Sequence, residues 1–321
     1  MVHSLIPGET VGAEFIVHIA DLSALLLIHE FPECTSNASA LTQCLLHVCR
    51  LTIGETLMKN VLVLDFDGLI CDGLKECVLV TWNGHYKKDV LLFSDQGLEA
   101  IPNTFVERFQ ECRNFSKHLG HFLVPLVDQT TSFPTQDAFN RVYNSINPVL
   151  VNEFVEKVNA YRQLVRTEKK AYWLACHTFY DGFETFLRVL SFPAYIVTAK
   201  DSDSVHEILC DKSIPFVQKR IFGEQRSKLA ALTTIAQMEQ IPNSQLYFID
   251  DNINNVLEAR SAGYHAYWAT WGYNSPDHFH FAAAHSIPGI SLADFLTNRF
   301  NFPFFANQPK SVSSDADAIS L

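Results

Sequence analysis

Two aspartates one residue apart, Asp65 and Asp67, follow the apolar run Val61–Leu64 and precede Gly68. A second acidic pair, Asp250 and Asp251, ends the run that begins at Gln245. Thr198 closes a third run, Ala194–Val197, and Lys228 lies between these last two. Four carboxylates cannot share a small site unless cations sit among them. With oxygen ligands and no His or Cys cluster, the cation is a hard one, and Mg²⁺ fits best. A magnesium ion, a hydroxyl and a lysine around a carboxylate make a phosphoryl-transfer site. One aspartate can attack phosphorus and form an aspartyl phosphate. A second can protonate the leaving oxygen and later activate water. The metal shields the nucleophile from the substrate's negative charge.

Such groups must be held by strands that end together. Val61–Leu64 reads as a strand buried on both faces, as in a parallel sheet. Gly68 lets the chain turn where that strand stops. Ala194–Thr198 and Gln245–Asp250 read as two further buried strands, Arg220–Gly223 as a short one, and His265–Thr270 as the last. Helices are expected over Phe183–Leu190, from Asp201 or Ser202 to about 210, over 227–238, through Val256 to a C-cap at Gly263, and over Ser291–Asn298. The alternation predicts a Rossmann-like α/β fold, with helices on both faces of a parallel sheet. Residues 73–180 break it. Apolar residues recur at helical spacing over 149–166 and 104–119, while Pro125, Pro134 and Pro148 mark 125–148 as a loop. This block predicts an α-helical cap inserted after the first strand.

In these motifs the chain resembles the haloacid-dehalogenase (HAD) superfamily of hydrolases over about Met58–Arg299. The motifs are Asp65-Phe-Asp-Gly68, Ile-Val-Thr198, Lys228 in Arg-Ser-Lys-Leu, and Phe-Ile-Asp250-Asp251. Ala262-Gly263 and Thr270-Trp-Gly-Tyr273 are similar to its phosphoglycolate-phosphatase-like branch, which carries a helical cap at the same place. The resemblance implies a Mg²⁺-dependent phosphatase of a small phosphorylated metabolite. It makes Asp65 the nucleophile and Asp67 the general acid/base. Thr198 and Lys228 would hold the phosphoryl group. The metal site would be Asp65, Asp67 through its backbone carbonyl, Asp250 and Asp251, with Asp251 the direct ligand and Asp250 behind it. Asn255 stands where many relatives carry an acid, and Gly73 where a serine is frequent. Two enzymatic alternatives are a phosphomutase and a phosphonate-cleaving relative. The latter needs a cap lysine among Lys87, Lys88, Lys117, Lys157, Lys169 and Lys170. A non-catalytic ligand-binding protein on the same fold is the third.

The chain has 321 residues, 48% hydrophobic and 18% charged, with a formal net charge of −11. This composition fills a core and excludes a wholly disordered chain. The acidic balance opposes a broad nucleic-acid surface. No uninterrupted apolar stretch is long enough for a membrane span. The start lacks the basic residues of a signal peptide, so the cytoplasm is the expected location. Eight scattered cysteines predict reduced thiols rather than a disulfide framework. Asn37-Ala-Ser39 and Asn114-Phe-Ser116 match a glycosylation pattern by chance. The expected division is an extension over 1–57, a catalytic core over 58–72 and 181–305, the cap over 73–180, and a mobile tail over 306–321. Met58 is either the natural start or follows a helical appendage. Lys200 reads as a surface lysine at a helix start, Cys71 as a packed thiol, His177 as a polar hinge residue, and His278 and His280 as lacking partners for zinc.

Overall fold

A computed structural model describes residues 60–303 apart from Ser191. The expectations for 1–57 and 306–321 lie outside the described residues. Six parallel strands form the main sheet, in the order β5-β4-β1-β6-β7-β8. They are β1 (Val61–Leu64), β4 (Ala194–Val197), β5 (Ile221–Phe222), β6 (Leu246–Asp250), β7 (His265–Ala269) and β8 (Gly289–Ile290). Side chains alternate between the two faces, and both faces are covered. Leu62, Leu64 and Ile196 join one core cluster, whereas Val61, Val63 and Val197 join the other. Such strands read as continuous apolar runs, which is why their sequence was distinctive. β1 pairs with β4 on one side and β6 on the other. The chain moves outward to β5 and then crosses back over β1 to reach β6. The crevice at these three carboxyl ends is a topological switch point, where open α/β sheets bind ligands.

The chain between β1 and β4 leaves the sheet through β2 (Cys71–Asp72) and returns through β3 (Thr178–Phe179), which pair antiparallel. Between them lie α1 (Leu74–His85), α2 (Asp95–Glu99), α3 (Asn103–Arg113), α4 (Val124–Val127), α5 (Gln136–Ser145), α6 (Pro148–Glu168) and α7 (Lys170–Ala175). α1 and α6 pack closely: a Cβ on Gly84 would stand 3.0 Å from the Val158 Cα. The core helices are α8 (Phe183–Arg188), α9 (Ser202–Asp211), α10 (Lys228–Glu239), α11 (Ile253–Ser261), α12 (Pro276–Ala284) and α13 (Leu292–Leu296). Among the described residues no helix is long and apolar enough to cross a membrane.

Two expectations fail. Residues 125–148 are not a loop. Thr135 Oγ1 accepts the Ala138 N–H and opens α5, which buries Ala138 and Phe139. Pro125, Pro134 and Pro148 lie outside that helix, where proline's missing N–H costs no helical bond, so they bound it rather than interrupt it. Nor is β7 the last strand. β8 adds to its edge, and two residues are too few to show a period. Asp201 caps α9, its Oδ1 accepting the Ser204 N–H at 2.8 Å, and Gly263 takes φ +85 after α11.

The helical segment also buries a histidine that must stay neutral. His121 Nδ1 accepts the Lys117 N–H at 3.1 Å. Burial, then His118 and Lys117, push its imidazole down to about 2. The unfolded chain therefore binds the proton first, and stability falls as the pH drops below about 6.5. His121→Asn keeps an acceptor without a titrating ring. Its Tm should fall less steeply than the wild type's between about pH 6.5 and 4. Parallel Tm curves would rule the effect out.

Candidate active site

Asp65 follows β1, and its N–H bonds to Ile249 O at 3.0 Å, so the first acid is locked to β6. Its Oδ1 accepts the Phe66 N–H at 2.7 Å. Its Oδ2 lies 2.5 Å from Lys228 Nζ, which is also 2.8 Å from Asp250 Oδ2. Lys228 is the first residue of α10, and a buried side chain there reaches the sheet edge rather than solvent. Asp250 also accepts the Asn252 N–H at 2.7 Å on Oδ1 and Asn255 Nδ2 at 3.0 Å on Oδ2. Asn255 thus braces an acid. Asp251 Oδ2 accepts the Tyr273 N–H at 2.8 Å.

Burial is the first cause of the charge state here. It raises Asp65 to about 7, with Asp250 adding to it and Lys228 opposing it. Burial, then Asp250 and Asp65, also hold Asp251 well above the usual carboxylate range. Burial pushes Lys228 down, but Asp250 and Asp65 outweigh it and keep the ammonium charged. Oxygens of Asp65, Asp250 and Asp251 all lie within 4.8 Å of one another. Once ionised, three carboxylates with one ammonium leave two negative charges in a buried, oxygen-only set, and without a cation burial favours taking up protons instead. That donor chemistry fits a hard divalent cation.

Gly68 makes room for this cluster. It takes φ +91, and a Cβ would stand 2.1 Å from Asp251 Oδ2. Gly68→Ala therefore combines backbone strain of about 1–3 kcal/mol with displacement of an acid. It should lower the Tm and weaken divalent-cation binding by calorimetry at least about tenfold, since 1.4 kcal/mol is tenfold in affinity. Unchanged binding would show that Asp251 can move freely.

Asp67 faces the same cavity from the other side. Lys200 Nζ lies 3.4 Å from its Oδ2, while the buried Oδ1 has no hydrogen-bond partner. The expectation for Lys200 is therefore overturned. It is only 6% exposed and stands 3.6 Å from Glu76 Oε2 as well. The chain tightens after Thr198, whose Oγ1 accepts the Lys200 N–H at 3.2 Å. Lys200 thus precedes the capping Asp201 and points into the site. Thr198 is buried, and its N–H bonds to Phe222 O at 3.0 Å. Asp65, Asp67, Thr198, Lys200, Lys228 and Asp251 line one cavity with Arg113 and Lys117 of the helical segment. The cavity is about 70 Å³. One water needs roughly 10–15 Å³ by that measure, so a small polyatomic group has room.

The contacts of several residues of the site had no sequence signal. Tyr273 joins three parts of the molecule. Its N–H holds Asp251, and its hydroxyl donates to Asp72 Oδ1 at 2.7 Å and accepts the Gly73 N–H at 3.1 Å. The Arg113 guanidinium stacks 3.9 Å from its ring centre. Glu76 of α1 and Arg162 of α6 meet inside the helical segment, at 2.6 Å between Oε1 and Nε. Arg113, Glu76 and Arg162 are charged residues on helices and Tyr273 lies in the bend after β7, and only the fold reveals that they turn inward. His177 is buried near the return crossing, and its Nδ1 donates to Trp173 O at 2.9 Å. His278 closes the capping box of α12. Among the described residues, Asp65, Asp250 and Asp251 are the only metal-capable group of three or more His, Cys, Asp or Glu. Cys71 is a buried free thiol. Of the six lysines named above, Lys117 lines the cavity, where it lies 3.5 Å from Glu258 Oε1.

No family model matches the sequence, and no curated protein matches it. Solved structures do. One, described as a predicted phosphatase from Clostridium acetobutylicum, shares 15% identity over 76% of this chain and 100% of its own, with a TM-score of 0.50. A haloacid dehalogenase-like hydrolase from Streptococcus pneumoniae shares 16% identity over 76% of this chain and 99% of its own, with a TM-score of 0.48. A haloacid dehalogenase-like protein from Bacteroides fragilis shares 13% over 73% and 95%, with a TM-score of 0.49. At these identities the likeness is one of fold. The chain shares with the Clostridium acetobutylicum structure a parallel α/β sheet flanked by helices.

Proposed function

We propose that this protein is a Mg²⁺-dependent phosphatase that hydrolyses a small phosphomonoester through an aspartyl phosphate on Asp65. The observation that carries this is the grouping of Asp65, Asp67, Thr198, Lys228 and Asp251 around one small cavity. Asp65 attacks phosphorus in line with the leaving oxygen. Thr198 and Lys228 hold the phosphoryl oxygens. Asp67 gives a proton to the leaving alkoxide and then takes one from the water that cleaves the aspartyl phosphate. Asp65, Asp251 and the Asp67 carbonyl, with Asp250 behind them, would hold Mg²⁺, which would supply neutralisation of the phosphoryl charge. The helical segment 73–180 acts as a cap that covers the substrate and keeps bulk water out. The small cavity, about 70 Å³, suits a phosphorylated metabolite as substrate.

The test is phosphate release from p-nitrophenyl phosphate and a panel of phosphorylated metabolites. Activity should disappear with a chelator and return with Mg²⁺. A wild-type protein that releases no phosphate from any ester in Mg²⁺ overturns the proposal.

A further inference from the structure

Lys200 belongs to a buried chain of alternating charge that runs from the sheet edge into the helical segment. Asp67 Oδ2 is 3.4 Å from Lys200 Nζ, which is 3.6 Å from Glu76 Oε2. Glu76 is paired in turn with Arg162, at 2.6 Å through Nε and 3.4 Å through Nη2. Glu76 is fully buried, Lys200 and Arg162 are nearly so, and Asp67 is partly exposed to the cavity. Arg162 alone satisfies both oxygens of Glu76. The folded state therefore does not need a second cation there. A buried ammonium costs several kcal/mol of desolvation, and an apolar side chain of the same volume is often as stable. Stability does not account for Lys200.

Its nearer partner does. Among the described residues Lys200 is the one side chain that forms an ion pair or side-chain hydrogen bond with the Asp67 carboxylate. Oδ1 has none, and Gly73 leaves it none: a Cβ there would already be 2.8 Å from that oxygen. Asp65, by contrast, is held by Lys228 and the Phe66 N–H. The rotamer of Asp67 thus depends on Lys200, whose own place depends on Glu76 of α1.

We infer that Lys200 is a positioning residue: it fixes Oδ2 of Asp67 so that Oδ1 is free to carry the proton to the leaving oxygen. Glu76 makes this arrangement conditional on the seating of the helical segment over the site. The inference rests on the phosphatase reading above. A displacement of about 1 Å in such a group can cost 10²-fold in rate. That loss falls where a proton is needed. An alkyl phosphate leaves as a strongly basic alkoxide, whereas p-nitrophenolate leaves without help. A lysine that instead held the phosphoryl group would act on both esters alike.

The experiment is single-turnover release of the alcohol, which isolates the first step. It compares p-nitrophenyl phosphate with the alkyl phosphate that the wild type cleaves fastest among the glycerol phosphates and phosphoglycolate. Lys200→Met should slow the alkyl ester about 100-fold, with a loss on the aryl ester at least tenfold smaller. Lys200→Arg should recover part of the alkyl rate. In an Asp67→Asn background Lys200→Met should add less than about threefold, because the two act as one unit. Thermal unfolding of each variant shows whether it is folded, and Lys200→Gln replaces Lys200→Met if that protein does not fold. Equal losses on both esters, or losses that multiply with Asp67→Asn, overturn the inference and leave the phosphatase reading standing. Wild-type cleavage of the aryl ester alone overturns the inference as well, since no proton donor is then at work. Cleavage of neither ester removes both.

Discussion

Asp65→Asn should lower the rate of phosphate release by about 10⁴-fold or more, as removal of a covalent nucleophile does in other hydrolases. The substitution keeps the side chain's size. A carboxamide has no charge to bring to phosphorus, so the covalent step is lost rather than slowed. Lys228 retains Asp250 at 2.8 Å, so its ammonium stays paired. Without metal the variant should be at least as stable as the wild type. Asp65 is raised to about 7, chiefly by burial, which means that its charge is unfavourable in the fold at neutral pH and above. A neutral amide removes that cost. An inactive protein with an equal or higher Tm in chelator is therefore the expected result. Turnover by Asp65→Asn at the wild-type rate would show that Asp65 is not the nucleophile, and a large fall in Tm would show that its charge supports the fold.

Arg162→Met should destabilise the protein by about 3–5 kcal/mol, the range for breaking a buried ion pair from one side. Glu76 lies fully buried on α1 and would keep Lys200, at 3.6 Å, as its one ion-pair partner among the described residues. Burial alone would raise Glu76, but Arg162 and then Lys200 outweigh it and hold it well below the usual carboxylate range. A depressed acid contributes its stability above its unfolded value of about 4.3 and loses it as the pH falls through the folded value. In the variant Glu76 takes up a proton at higher pH. The gap in urea midpoint between wild type and variant should therefore narrow below about pH 4.5. Glu76→Gln with Arg162→Met should recover part of the loss, because no charge is then stranded. A single variant within about 1 kcal/mol of the wild type would show that water enters this site.

Residues whose surroundings are local were readable in advance. β1, β4 and β6 are buried on both faces, so each was a bare apolar run with a polar residue at its end. Asp65, Thr198 and Asp250–Asp251 were found by that contrast. Lys228 was found because it begins a helix between two such strands. Lys200 differs from Lys228 in one respect: its neighbours Asp201, Ser202 and Asp203 are those of a solvated helix start. Nothing near it in sequence shows that its ammonium lies against Asp67 and Glu76. The same holds for Tyr273, whose partners Asp72 and Asp251 lie 201 and 22 residues away.

Sequence alone determined which side chains could do the chemistry and that strands would deliver them to one edge. A strand's end, a glycine turn and a helix cap are set by residues within a few positions, and their physics is short-range. Only the tertiary structure decided how those groups are charged and held. Burial raises Asp65 and Asp251, the Tyr273 N–H fixes Asp251, and the helical segment brings Glu76 against Lys200. Desolvation and ion pairing depend on what surrounds a group in space, and here that surrounding comes from parts of the chain 22 to more than a hundred residues apart.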